Sequence, residues 1–147
     1  MSLVPIAPSF SIEDAIAFAQ EHYGLRGSVR PLPSYIDQNF HLTTESGEEF
    51  VLKISNTEEP RDGLDLQNKV LQHLADPECY PQVIPTLSGE EIVVVQSDDG
   101  TTYMMRLVTY LPGIPLAKYS PQTEALFFVL GQVIGVMDEK LATFKHP

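Results

Sequence analysis

Two stretches of this chain each pair strand-like segments across a turn, and that pattern restricts the fold more than any other feature. "NFHLTT", 39 to 44, alternates; "ESGE" is a turn; "EFVLKIS" is the returning strand. Further on, "EEIVVVQS" and "TTYMMRLVTYL" are β-rich runs joined by "DDG", a hairpin signal. Hairpins pair strands only in antiparallel fashion. Residues 29 to 33, punctuated by Pro31 and Pro33, supply one more short strand. Between the hairpins, "LDLQNKVLQHLA", 64 to 75, places Leu64, Val70, Leu71 and Leu74 on one face of an amphipathic helix. The pattern predicts an α+β fold: a five-stranded antiparallel sheet with one packed helix inserted after the third strand.

Two further helices flank this unit. Residues 11 to 23 open with Ser11 and Asp14 at capping-box spacing, carry Ile12, Ala15, Ile16 and Ala19 as an apolar stripe, and stop at Gly24. At the other end, Ser120 is the predicted cap and Pro121 the first residue of a helix running to about 144. Leu126, Leu130, Val133, Ile134, Met137 and Leu141 give it a long apolar face, and Gly131 and Gly135 on one side invite another backbone. "DPECYPQVIP" reads as Pro-rich and irregular. The resulting division is a leader at 1–11, the sheet-bearing unit at 12–111, a linker at 112–120 and the last helix at 121–147.

The chain, 147 residues long with a net charge of −11, fits one domain. That charge argues against nucleic acid and against anionic membranes as partners. No apolar run approaches the length of a membrane span, and "MSLVPIAPSF" lacks the basic start of a secretion signal. Cys79 is the only cysteine, so no internal disulfide forms; a cytoplasmic location is the expectation. His22, His41, His73 and His146 are scattered, without a second ligand at metal-site spacing, so no protein metal site is expected.

Lys53 stands out in the strand "EFVLKIS". Alternation puts Phe50, Leu52 and Ile54 on one face and Val51, Lys53 and Ser55 on the other. A lysine in such a strand is either a guard against edge-to-edge pairing or a functional ammonium aimed into a cleft.

The order "LPSYIDQNFHLTT…EFVLKIS…LDLQNKVLQHLA…YMMRLVTYLPGIPLA" resembles the N-terminal lobe of the aminoglycoside phosphotransferase and choline kinase family. Within it, "LPSYIDQNFHL" and "TYLPG" look closest to the hydroxylysine-kinase-like branch, a module that also occurs fused to class III aminotransferases. The resemblance implies a protein-kinase-like lobe and ATP as cofactor. Lys53 then matches the third-strand lysine that contacts ATP phosphates, a task that calls for a well-placed cation. "SYIDQNF", 34 to 40, matches the phosphate-covering loop, where Ser34, the amides from Ile36 onward and Asn39 would act, although the stretch has no glycine. Asn39 satisfying its own turn is the alternative reading. In "RLVTYLPG", Val108 would guard the adenine pocket, the Thr109 carbonyl and Leu111 amide would pair with adenine, and Gly113 would turn the chain.

One position departs from the family. The helix after the lysine strand normally supplies a glutamate partner for the lysine; here the matching residue is Gln67, which accepts a hydrogen bond but brings no charge. The catalytic H-x-D-x-x-x-x-N loop and the acids that hold Mg²⁺ do not occur, so no catalytic residue is assigned, and the Mg²⁺ ligands are expected in a second lobe. The implied function is the ATP-binding lobe of a small-molecule kinase acting on a hydroxyl of an amino acid or amino alcohol, inactive alone. The competing reading is a non-catalytic module positioning a fused enzyme such as a class III aminotransferase. A homodimer through the last helix is expected, because its apolar face exceeds what one small sheet can cover.

Overall fold

A computed structural model of the chain describes residues 4–146. The elements follow as α1 (Ile12–Tyr23), β1 (Gly27–Leu32), β2 (Gln38–Thr44), β3 (Glu49–Ile54), α2 (Arg61–Leu74), β4 (Val83–Ile84), β5 (Val93–Gln96), β6 (Thr102–Thr109) and α3 (Glu124–Leu141). A 3-10 turn, Leu116–Lys118, precedes α3.

The strands form one antiparallel sheet of six, ordered β1-β2-β3-β6-β4, with β5 also paired to β6. Both expected hairpins are present. The extra strand is β4, from "QVIP", a stretch read as irregular. It is two residues long, too short to alternate visibly, and exists because Val83 and Ile84 find Val108 and Leu107 across the ladder.

Registry sorts the side chains into two faces. Phe40, Leu52 and Leu107 align across β2, β3 and β6, as do Leu42 with Phe50 and Ile54 with Met105. These are nearly fully buried and join Val93, Val95 and Tyr103 in one core. The helix that closes this core is α1. Ala15, Ala19 and Tyr23 pack into it, and the two alanines are small enough to bring the helix axis close to the sheet. Ile12 and Ile16, expected in the buried stripe, are instead exposed, because the Ala15–Ala19–Tyr23 line meets the sheet. The Ser11–Asp14 capping box is complete, and Gly24 ends the helix in the left-handed conformation at φ 68°.

The opposite face meets α2, with Leu64, Asn68 and Leu74 buried. This helix starts at Arg61, three residues before the predicted start at 64, since Gly63 is accommodated in its first turn and Asp62 complements the helix N-terminus there.

The last helix corrects the sequence reading at both ends. Thr123, not Ser120, is its cap, accepting a hydrogen bond from the Leu126 amide, and the helix begins at Glu124 and ends at Leu141. Pro121 therefore lies outside it. Thr123 precedes the first uninterrupted run of helix-compatible residues, "EALFF", which decides between the two hydroxyl caps. Leu126, Leu130, Met137 and Leu141 are half-buried, whereas Val133 and Ile134 are exposed together with Phe127, Phe128, Val129 and Val136. Among the described residues nothing lies within 4 Å of where a Cβ on Gly131 or Gly135 would stand, so no other backbone of these residues packs closely there.

Candidate functional site

The face of the sheet away from α1 carries a row of polar residues. Asn39 on β2 sits opposite Lys53 on β3, and Lys53 sits opposite Arg106 on β6. The neighbouring row is His41, Val51, Val108 and Val83. Strand pairing alone thus places three functional groups side by side, each on rigid backbone.

Lys53 and Arg106 line a cavity of about 470 Å³ whose far wall is the segment from Thr109 to Pro115. Val51 and Val108 form its apolar floor, and Leu71 of α2 and Pro81 close one side. An apolar slot with two cations at one end suits a flat heteroaromatic group bearing an anionic tail.

The 34–40 loop reaches this site through Asn39. Its carbonyl oxygen accepts from the Lys53 ammonium at 3.4 Å, and its amide donates to the Ser34 hydroxyl at 2.8 Å. Asp37 braces the loop from behind, accepting from both the backbone and side-chain N–H of Asn56 at 2.9 and 2.8 Å. Ser34 and Ile36 are exposed beside the cleft rather than in its wall.

Gln67 does not meet Lys53. Its carbonyl oxygen accepts from Arg106 and its amide donates to Glu59 at 3.3 Å. Its neighbour Asn68, fully buried, accepts from the other arm of the Arg106 guanidinium at 2.6 Å. The physical reason is reach: Arg106 lies between Lys53 and α2 and takes both amides. Burial, and next the Arg106 charge, lower the Lys53 pKa, with Asp37 partly opposing. Burial likewise lowers that of Arg106, against the pull of Glu59 and Asp37.

At the cavity's other end, β6 runs into an extended segment and turns at Gly113, whose φ of 135° suits a residue without a side chain. The Thr109 amide and hydroxyl are tied to Gln82, at 2.9 Å each. The Leu111 amide makes no hydrogen bond within the described residues. Tyr110 is held from below by His41, the rings stacked 4.1 Å apart, while His41 Nε2 lies 2.6 Å from the Glu49 carboxylate. Lys53, Val108, Thr109 and Leu111 thus share one cavity, Asn39 contacts it through Lys53, and Gln67 contacts it only through Arg106.

Arg106 is the residue sequence reasoning missed. A signal existed: it interrupts the apolar run "YMMRLV" just as Lys53 interrupts "EFVLKI", and buried cations in strands call for partners.

A model described as "Phosphotransferase enzyme family" matches residues 28–140. The chain belongs to this family. Hydroxylysine kinase from Bos taurus is 36% identical over 154 residues, covering 95% of this chain and 41% of that protein. Hydroxylysine kinase from Danio rerio is 34% identical, covering 100% of this chain and 43% of that protein. The chain therefore spans about two-fifths of the length of these curated relatives. Among solved structures, amicoumacin kinase hAmiN, in complex with AMP-PNP, Ca²⁺ and Ami, superposes with a TM-score of 0.77 at 17% identity, over 93% of this chain and 42% of that one. A microcompartment-associated aminopropanol kinase superposes at 0.72 with 18% identity, over the same share of each chain. At such identities these two show the fold, a kinase-like α+β lobe, which is the fold read from the strand pattern.

Among the described residues no helix is long and apolar enough to cross a membrane. No group of three or more His, Cys, Asp or Glu among them could hold a metal ion.

Proposed function

We propose that this chain is the ATP-binding lobe of a small-molecule kinase whose acceptor is a hydroxyl on an amino acid or amino alcohol. The observation that carries this reading is the row Asn39–Lys53–Arg106, which brings two cations to one end of a cavity walled at the other end by an extended hinge. The relatives' names, hydroxylysine kinases, support the acceptor class.

In this reading the adenine lies over Val51 and Val108, with the Thr109 carbonyl and the Leu111 amide at its edge. Lys53 holds phosphate oxygens, and Asn39 keeps the ammonium aimed while the Ser34 hydroxyl and the amides from Ile36 onward cover the phosphates. Gln67 acts through Arg106. ATP supplies the transferable phosphoryl group; Mg²⁺ would be held by residues other than those described here. The sequence contains no H-x-D-x-x-x-x-N loop to accept the acceptor's proton, so the 147 residues alone are expected to bind nucleotide weakly and not to turn over. The exposed apolar flank of α3 is the surface through which this chain would pair with a second copy.

The test is a titration of ¹⁵N-labelled chain with AMP-PNP. Perturbed amides should map to 34–40, 53 and 106–113 and weaken in Lys53→Met. Shifts confined elsewhere, or none at millimolar nucleotide, would sink the reading.

A further inference from the structure

Lys53 and Arg106 are directly opposed on adjacent strands, and neither has a carboxylate at ion-pair distance among the described residues. Their partners are neutral: the Asn39 carbonyl for Lys53, and the Asn68 and Gln67 carbonyls for Arg106. Arg106 is only 4% exposed, yet it lines the cavity, and its Nε–H has no partner. Like charges directly opposed on a sheet repel, and a buried charge without a counter-charge is costly. The nearest acids are committed elsewhere. Asp37 Oδ1 takes both Asn56 donors, and Glu59 Oε1 takes the Gln67 amide. In a chain of net charge −11, this is a concentrated positive site that Asp37 and Glu59 offset only from beyond ion-pair distance.

We propose that Arg106 is the second cation of the phosphate site, so that an oligophosphate bridges the Lys53 ammonium and the Arg106 guanidinium. The inference rests on the nucleotide reading above and deepens it, assigning Arg106 a direct contact with phosphate oxygens where that reading uses only its place beside the cavity. A guanidinium offers more donors than two amides use, and its planar fork suits phosphate oxygens. The role of Gln67 follows: it orients Arg106 without neutralising it. A glutamate in its place would form an ion pair with Arg106 and compete with the incoming anion. The anion, when bound, relieves the repulsion between the two strands' cations, so the site is held in a state that favours occupation.

Inorganic tripolyphosphate, titrated into the 147-residue chain, is the direct probe, with AMP-PNP run in parallel. Wild type should show the Arg106 Nε–H and the Lys53 region shifting together. Gln67→Glu and Arg106→Met should each weaken tripolyphosphate about tenfold, the size expected for losing one charged contact, with Arg106→Lys intermediate. Gln67→Glu is the deciding variant, because it strengthens the attachment of Arg106 to α2. Its melting temperature should hold or rise while its anion affinity falls, and the fall should shrink in an Arg106→Lys background; a purely structural Arg106 would leave the Gln67→Glu penalty the same in both backgrounds. If Arg106→Met fails to fold, Gln67→Glu still decides. Unchanged tripolyphosphate affinity in Gln67→Glu, with AMP-PNP still perturbing 109–111, overturns this inference and leaves the nucleotide reading standing. No response to either ligand overturns both.

Discussion

Asn39 bridges Lys53 and the loop before β2: its carbonyl takes the ammonium at 3.4 Å while its amide holds the Ser34 hydroxyl at 2.8 Å. One side chain therefore ties the ammonium on β3 to the loop before β2. Replacing Asn39 with Ala should speed amide hydrogen exchange at residues 35–38 and cost about 1 kcal/mol of unfolding free energy, the net worth of a hydrogen bond of this kind. The strands themselves should stay paired. Exchange and denaturant midpoints indistinguishable from wild type would show that the bridge is incidental.

Asn68 is the larger structural commitment, fully buried with its oxygen 2.6 Å from the Arg106 guanidinium and its own amide nitrogen without a partner. Asn68→Ala removes the acceptor and strands a buried cation, so unfolding should become easier by about 3 kcal/mol. Asn68→Asp should behave oppositely, since a carboxylate pairs with the cation and the orphan donor disappears. Urea denaturation of the two variants checks both signs; equal destabilisation by Ala and Asp would mean that packing volume, not charge, governs the position.

The hairpins, the capping box at Ser11 and the face of β3 that carries Lys53 were legible because each depends on local alternation or on a spacing of three residues. The strand β4 and the partner of Gln67 were not. Val83 and Ile84 become a strand only through the Leu107 and Val108 edge of β6, a pairing that spans more than twenty residues and leaves no local trace. Arg106 competes for Gln67 through strand registry, which depends on where two hairpins dock against each other. The boundary of α3 shifted for a smaller reason: two hydroxyl residues, Ser120 and Thr123, both satisfy a cap rule, and only the helix-compatible run after Thr123 selects between them. Exposure of Ile12 and Ile16 shows the same limit, since periodicity marks an apolar arc wider than the line that the sheet finally covers.

The outward flank of α3 should drive self-association. Phe127 is 50% exposed and Phe128 69%, on the side of the helix that carries Gly131 and Gly135, where no atom lies within 4 Å of the position a Cβ would take. Two exposed phenylalanines beside two glycines favour close packing against the like surface of a second copy. Sedimentation at micromolar concentration should give a dimer, and Phe128→Glu should return a monomer with an unchanged melting profile. A wild-type monomer at these concentrations would remove the case for pairing.

The pH response of the site follows from Lys53. Its pKa in the folded chain lies below the ordinary value near 10.5, first through burial and then through Arg106. Between the lowered and the ordinary value the unfolded chain holds the proton and the folded chain does not, so stability of the ligand-free fold rises with pH through that window. Below the window both states are protonated and the penalty is constant. Anion binding runs the other way, because it needs the ammonium: affinity for AMP-PNP should fall as pH climbs through the same window. Lys53→Met should flatten both profiles. Arg106→Gln should leave the binding profile present but displace its midpoint upward, since burial still lowers the Lys53 pKa while the added repulsion from Arg106 is gone. Denaturant midpoints and AMP-PNP affinities measured at a series of alkaline pH values resolve the two opposing slopes. Parallel slopes, or a profile indifferent to Lys53→Met, would show that another group titrates and that Lys53 is not the charge the site depends on.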